Sequence, residues 1–479
     1  MDLTYKMTTD IPASILTPDS VETRLGTLRF FDGFPDEATV QKVYDNLDFQ
    51  RAVEVFLTAM PAASMSAIRS GVRAFCPDNQ TVLIAETLMD SRSLVLTGNS
   101  ETVYVTNWLD THDGPLVIEV PPGMLGMIDD SWSRYVTDFG PPGPDRGAGG
   151  KYLLLPPDYD GDVPDGHFVL RPRTYGHIMF SRGFLRDGDP RPAVESIRAG
   201  FRIYRLADAA DPPPMKFVQM SGAALECVFA SDASYFEQVA TTVRDEPLEA
   251  ADPETRGLLA SIGIRHDASF APDERMQAIL AEAAAVGNAT ARALAFSTRD
   301  PDARAYPDGA WKVPWIGNDY TFSPGGVLDL DARVTFFYPV FGISPALTLK
   351  MVGKGSQYIM CERDATGLYL DGGKAYRLHL PPDIPVTDFW SLIVYDPQTR
   401  AMLQTDQRFP SVGSLRPGIE TNADGSVDAW FGPEPPPQGE SNWVQTIPGK
   451  GWFAMLRLYG PLEPWFDRTW RPGEFEPVG

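Results

Sequence analysis

Two short segments carry the residue types that could do chemistry on a small molecule. The first is Arg173-Thr174-Tyr175-Gly176-His177-Ile178-Met179-Phe180-Ser181-Arg182, which sets one histidine among aromatic rings with an arginine five positions on. An imidazole there could carry protons. The second is Gln407-Arg408-Phe409-Pro410, one hairpin beyond the strand that ends in Tyr395-Asp396. An arginine there could clamp a carboxylate or another oxyanion, while an Arg–Asp structural pair is an equally good reading. Asn99-Ser100-Glu101-Thr102-Val103-Tyr104 adds an amide and a phenol at the start of a strand. Asn442-Trp443 and the Arg457/Tyr459 pair add an amide, aromatic rings and a cation near the C-terminus, the composition of many small-molecule pockets and of many aromatic cores.

Read as a catalytic set of His177, Tyr104, Asp396 and Arg408, His177 or Tyr104 would move protons and Arg408 would bind an oxyanion. Asn99, Arg182, Trp390, Tyr395, Asn442, Trp443, Arg457 and Tyr459 would hold the substrate. The expected activity is that of a metal-independent enzyme, most reasonably a hydrolase of an ester, amide or similar bond, working in a cleft between two β domains. An alternative of another class is a non-catalytic jelly roll that holds a sugar or small metabolite on Trp390, Trp430 or Trp443.

The elements that must position these residues are mainly strands. Asp388-Phe389-Trp390-Ser391-Leu392-Ile393-Val394-Tyr395-Asp396 reads as the buried central strand of a C-terminal domain. Around it, residues 357–362, 376–380, 427–431 and 452–459 complete a double-sheet jelly roll, while 334–341 reads as a further strand. Residues 103–109, 115–120, 132–139, 152–155, 168–171 and 175–184 follow the pattern of a small antiparallel sandwich. Helical spacing marks the first 90 residues, with a start at Asp36 and a stop at Pro61, then 195–206 and 230–300. The clearest helix runs from Asp273 to Phe296, with Met276, Ile279, Leu280, Ala283, Val286, Thr290 and Leu294 near one stripe. The expected organisation is therefore a helical segment over 1–92, a sandwich over 93–210, a helical segment over 211–310 and a jelly roll over 311–479: multi-domain, mainly β with helical segments.

Composition narrows the function. At 479 residues the chain is long enough for several cores. Its net charge of −23 argues against nucleic acid and against an anionic membrane surface as partners. Cys76, Cys227 and Cys361 stand far apart, with no paired spacing for zinc, and His112, His167, His177, His266 and His379 are unpaired, so no metal and no cofactor is expected. Asn422-Ala423-Asp424-Gly425-Ser426 reads as a β-turn rather than a calcium loop. The first ten residues lack the apolar core of a signal peptide and no apolar run reaches membrane length, so a cytoplasmic homo-oligomer with a small-molecule substrate is expected.

Taken together, the segments resemble a known pairing. Asn99 to Tyr104, Trp108-Leu109-Asp110, Pro115 to Pro121 and Tyr152 to Pro157 resemble domain-of-unknown-function family 1254. Leu370-Asp371-Gly372, Phe389-Trp390-Ser391-Leu392, Tyr395-Asp396, Arg408, the 422–426 turn, Asn442-Trp443, Phe453 and Arg457-Leu458-Tyr459-Gly460-Pro461 resemble family 1214. The resemblance implies an immunoglobulin-like sandwich, a helical segment and a jelly roll. It brings no assigned reaction; members often carry hydrolase or secreted-protein labels. Thr405-Asp406-Gln407-Arg408 departs from the Asn-Pro pair more usual before that arginine.

Overall fold

Strands buried on one face alternate in and out; strands buried on both faces place two different residue sets in two different cores. Both β domains of this chain contain a sheet of the second kind, and that arrangement positions the site. The computed structural model describes residues 7–478. Its architecture is multi-domain and mainly β with helical segments.

In the first β domain a six-stranded sheet runs in the order Lys216–Gln219, Thr81–Ile84, Thr102–Asp110, Gly176–Phe184, Met124–Asp130, Tyr135–Phe139. A four-stranded sheet covers one face, in the order Phe168–Leu170, Gly150–Leu154, Leu116–Val120, Arg202–Arg205. Between them lie Val103, Val105, Leu109, Met179, Ile118 and Leu154. The second β domain is a double sheet. One layer is Ser356–Cys361, Phe453–Pro461, Val386–Tyr395, Ser411–Gly413; the other is Trp443–Gln445, Val427–Gly432, Ala375–Leu380, Glu476–Val478. Its interior holds Ile359, Leu378, Trp390, Leu392, Ala429, Leu456 and Leu458.

A third core joins everything else. The outward face of the six-stranded sheet (Tyr104, Trp108, Ile178) and the outward face of the 356–361/453–461/386–395 layer (Tyr358, Met360, Ile393, Tyr395, Phe453, Met455) share one apolar cluster with the helices. Helix Glu37–Thr58 starts at Asp36, whose side chain accepts from the Thr39 amide. It packs on Glu274–Phe296, where Gly287 lies so close to Phe56 that a Cβ would sit 2.6 Å from the ring. This close approach explains the buried stripe of that helix. It is Leu280, Ala283, Ala284, Gly287, Ala291 and Ala295, rotated toward the small residues, and Val286 is exposed.

Several expectations change. Pro61 does not end the helical run; it occupies the first turn of a new helix, Met60–Arg73, where its missing N–H costs nothing. The start of the chain is not all helical, since Ser20–Thr23, Gly26–Phe31 and Phe34–Pro35 form a small antiparallel sheet. Thr81–Ile84 pairs with Thr102–Asp110, so the first β domain begins before residue 93. Residues 195–206 divide into the end of helix Arg191–Gly200 and the strand Arg202–Arg205. Residues 334–341 form no strand: 334–337 close the helix Leu330–Phe337, despite their β-branched and aromatic content, and 338–341 are a turn and irregular chain. The Asp329 cap accepts from the Ala332 amide, and burial of Val334, Thr335, Phe336 and Phe337 overrides strand propensity. The strand Met124–Asp130, with glycine inside it, escaped the sequence pattern. Three strand pairs are parallel, so the sandwiches are not purely antiparallel.

Candidate functional site

The site forms where the two outward sheet faces meet. Along Phe453–Pro461, alternation sends Ala454, Leu456 and Leu458 into the jelly-roll interior and leaves Arg457 and Tyr459 on the opposite face. The neighbouring strand places Tyr358 opposite Arg457 and Ser356 opposite Tyr459. From the first domain, register pairs Tyr104 with Arg182 on the face that looks back at them. The result is a cavity of about 70 Å³, closed further by the 96–98 loop, by Met124–Asp130 and by residues 340–347. That is room for roughly five ordered waters, at about 10–15 Å³ each, or for a compact organic molecule.

Asn99 ties the two domains at the rim. Its Oδ1 accepts from the Glu101 amide and the Thr102 hydroxyl, an Asx-type turn that fixes the side chain. Its Nδ2 is then free to donate to the hydroxyls of Tyr104 (2.5 Å) and Tyr459 (3.1 Å). Arg457, 4% exposed, donates from Nη1 to the Thr97 carbonyl at 2.9 Å and from Nε to the Tyr459 hydroxyl at 3.2 Å. Thr97 holds that carbonyl in place with φ of 41°, a strained conformation for a β-branched residue. Tyr395 donates to the Gly98 carbonyl at 2.8 Å. The guanidinium of Arg457 lies 4.1 Å over the Tyr358 ring, and that of Arg182 lies 5.4 Å over the Tyr459 ring.

Among the described residues, no Asp or Glu lies within ion-pair distance of Arg182 or Arg457. Burial works against both charges, but the surrounding phenol oxygens outweigh it and hold both pKa values above the ordinary arginine value. Asp138 is the one acid that lines the cavity. Burial pushes its carboxyl up to about 7, against the Ser344 hydroxyl and the charge of Arg182, which act the other way. The phenol of Tyr358 behaves differently. Burial alone would raise it, yet Arg457 and Arg182, with the Ser356 hydrogen bond, bring it down to about 8. Its hydroxyl is 2.8 Å from Ser356 Oγ, which Arg182 Nη2 approaches at 3.4 Å.

Of the residues expected from sequence, Asn99, Tyr104, Arg182, Tyr395, Arg457 and Tyr459 are brought together here. The other six are elsewhere. His177 is fully buried, with neither ring nitrogen hydrogen-bonded, and burial drives its pKa down to about 3, so it is neutral and inert. An odd spacing of five from Arg182 on one strand sends the two side chains to opposite faces. Asp396 caps the turn after its strand, accepting from the Gln398 amide and pairing with Lys450. Arg408 bonds Asp90 at 3.3 Å and the Thr87 carbonyl at 3.0 Å, which makes it an interdomain tie rather than an oxyanion clamp. Asn442 spends its amide on Glu420 and the Asp428 carbonyl. Trp390 lies in the jelly-roll interior, and Trp443 is buried with its indole N–H on the Gly432 carbonyl, so neither offers a stacking surface for a sugar. The 422–426 segment is the turn expected, closed by the Gly425 amide on the Asn422 carbonyl. Ser356, Tyr358 and Asp138 were missed. The alternation of Ser-Gln-Tyr against Arg-Leu-Tyr on paired strands is the signal that would have found the first two.

Comparison with known proteins bears on the two domains that form the cavity. Residues 79–205 match the family described as "Protein of unknown function (DUF1254)", and residues 355–463 match "Protein of unknown function (DUF1214)". The chain is a tandem DUF1254–DUF1214 protein, and the cavity lies between the two matched regions. The crystal structure of the VPA0106 protein from Vibrio parahaemolyticus is similar over 91% of this chain and 100% of its own, at 20% identity and a TM-score of 0.54, a likeness of fold. An uncharacterized protein from Burkholderia cenocepacia aligns over 91% of this chain and 96% of its own, at 14% identity and a TM-score of 0.41. No curated protein matches. Among the described residues no helix is long and apolar enough to cross a membrane, and no three His, Cys, Asp or Glu side chains group as a metal site.

Proposed function

We propose that this chain is an enzyme that acts without a metal on a small organic molecule, hydrolysing an ester, amide or similar bond in the cavity between its two β domains. The observation that carries this reading is the Ser356–Tyr358 pair. Two hydroxyls lie 2.8 Å apart on one face of one strand, beneath two guanidinium groups and open to an enclosed volume. A serine hydroxyl attacks a carbonyl only when a base takes its proton. A phenol brought down to about 8 is partly ionised near neutral pH and is within transfer distance.

In the reaction, Ser356 Oγ bonds to the carbonyl carbon as its proton passes to the Tyr358 oxygen. The carbonyl oxygen takes up the negative charge, which Arg182 is placed to stabilise. Collapse breaks the bond to the leaving alcohol or amine, which receives the proton from Tyr358, and leaves an ester on Ser356. Water activated by the same phenolate then releases the acid and restores the serine. The polar lining of the cavity is arginine, tyrosine, serine, threonine and one aspartate, without histidine or cysteine, a set suited to oxyanions rather than to a metal. A cytoplasmic setting and self-association belong to the same proposal, and the three cysteines, all buried as free thiols, agree with a reducing compartment.

A panel of short chromogenic esters and amides tests this. Wild type should hydrolyse at least one member, and Ser356→Ala should lose at least about 10³-fold in kcat with its melting temperature retained. Hydrolysis by Ser356→Ala at the wild-type rate would remove the serine from the mechanism.

A further inference from the structure

We infer that the molecule taken into this cavity carries a carboxylate, received by Arg457 and Tyr104, on a short apolar stem. The inference rests on the hydrolytic reading for the identity of the cavity and adds the class of substrate. Its starting point is an imbalance of charge. Two guanidinium groups line one enclosed volume, and none of the described carboxylates pairs with either. Buried charge without a partner is costly, and a bound anion supplies the missing partner.

The donors left over point the same way. Arg457 uses Nε and Nη1 on Tyr459, Thr97 and Tyr395, while Nη2 has no acceptor among the described residues. Nη2 is also absent from the fully enclosed orphan atoms of the protein, so it keeps access to the cavity that Arg457 lines. The Tyr104 hydroxyl accepts twice from Asn99, which leaves its own proton to donate. A guanidinium N–H and a phenol O–H without acceptors suit a carboxylate. The other groups at the cavity are Ser356 and Tyr358, already engaged with each other and with Arg182, and Asp138, which near neutral pH is half protonated and able to donate in turn. Apart from Thr97 and Ser344 the remaining side chains are apolar, with Phe180, Phe341, Val340 and Leu347 among them, and they would contact a hydrocarbon stem but not a bare inorganic ion.

Calorimetric titration with propionate, propionamide and inorganic phosphate at pH 7 tests this directly. Propionate should bind wild type at least tenfold more tightly than either of the others. Arg457→Lys, which keeps the charge and loses the fork, should weaken propionate at least tenfold, and Tyr104→Phe should weaken it severalfold. Should Arg457→Lys fail to fold, Tyr104→Phe carries the test, since it removes one oxygen only. Equal binding of propionamide, tighter binding of phosphate, or propionate binding indifferent to both variants overturns the inference. Hydrolysis separates it from the broader reading. If propionate binds as described but half-esters of short dicarboxylic acids are not cleaved, the hydrolase is wrong and the carboxylate site stands. If neutral esters are cleaved and propionate does not bind, the reverse holds.

Discussion

The two faces of the sheet formed by Ser356–Cys361, Phe453–Pro461 and Val386–Tyr395 are made from the same strands and are both buried, yet one is apolar throughout its middle and the other carries a polar patch. One face is Ile359, Leu392, Val394, Leu456 and Leu458, the interior of the jelly roll. The other carries Ser356, Tyr358, Tyr395, Arg457 and Tyr459 against the first domain, beside the apolar Met360, Ile393, Phe453 and Met455 that pack on the helices. The first face gains by excluding water and needs only volume and shape. The second costs free energy wherever a polar group lacks a partner, and most of its groups are partnered in a network of Asn99, Thr97 and four tyrosines. The donors it leaves open are those that line the cavity. Polar content buried at this cost on one face alone is the reason the proposed function is placed there.

The comparison can be broken at either face. On the polar face, Tyr358→Phe should lower kcat by about 10²–10⁴. In wild type the activity should rise with pH through about 8 and then level, because the proposed mechanism needs the ionised phenol; the variant should lose that step. A pH–rate profile of both proteins decides it. On the apolar face, Leu456→Ala should cost about 2–5 kcal/mol in denaturant unfolding while leaving KM nearly unchanged. If this truncation abolished activity in the folded protein, the two faces would not be separable.

Two residues outside the site sharpen the contrast. His177→Leu should leave turnover unchanged and remove orphaned nitrogens that cost about 1–3 kcal/mol when buried. The sign of its pH dependence is fixed by a folded pKa of about 3, below the 6.5 of a free imidazole. The unfolded chain takes up a proton below pH 6.5 that the folded chain refuses, so wild type loses stability as pH falls from 6.5 toward 3. Urea titrations across that window should show a flatter response in the variant. Arg408→Ala should leave activity intact and cost about 1–3 kcal/mol of stability, because it takes one of two arginine partners from the buried Asp90 carboxylate. A large loss of activity there would return Arg408 to the mechanism.

Much of the architecture was legible because it follows from period and punctuation. The strand at 388–396, the strands at 102–110 and 176–184, and the capped helices at Asp36 and Asp273 all stand where alternation or capping chemistry puts them. The failures have specific causes. Residues 334–337 carry strand formers that a buried helical environment overrides, and Met124–Asp130 is masked by its glycine. At the site, His177 drew attention as a residue type, whereas the parity of its position already separated it from Arg182.

By itself, then, the sequence determined which residues share a strand face, and so which of them could act together: Ser356 with Tyr358, and Arg457 with Tyr459. It also carried the tandem of two β domains. Only the tertiary structure decided which face of each sheet meets which. Register across strands and the docking of one sheet on another depend on contacts hundreds of residues apart, such as Asn99 with Tyr459. That docking turned Arg182, Arg457 and the Ser356–Tyr358 pair from separate polar residues into the lining of one cavity.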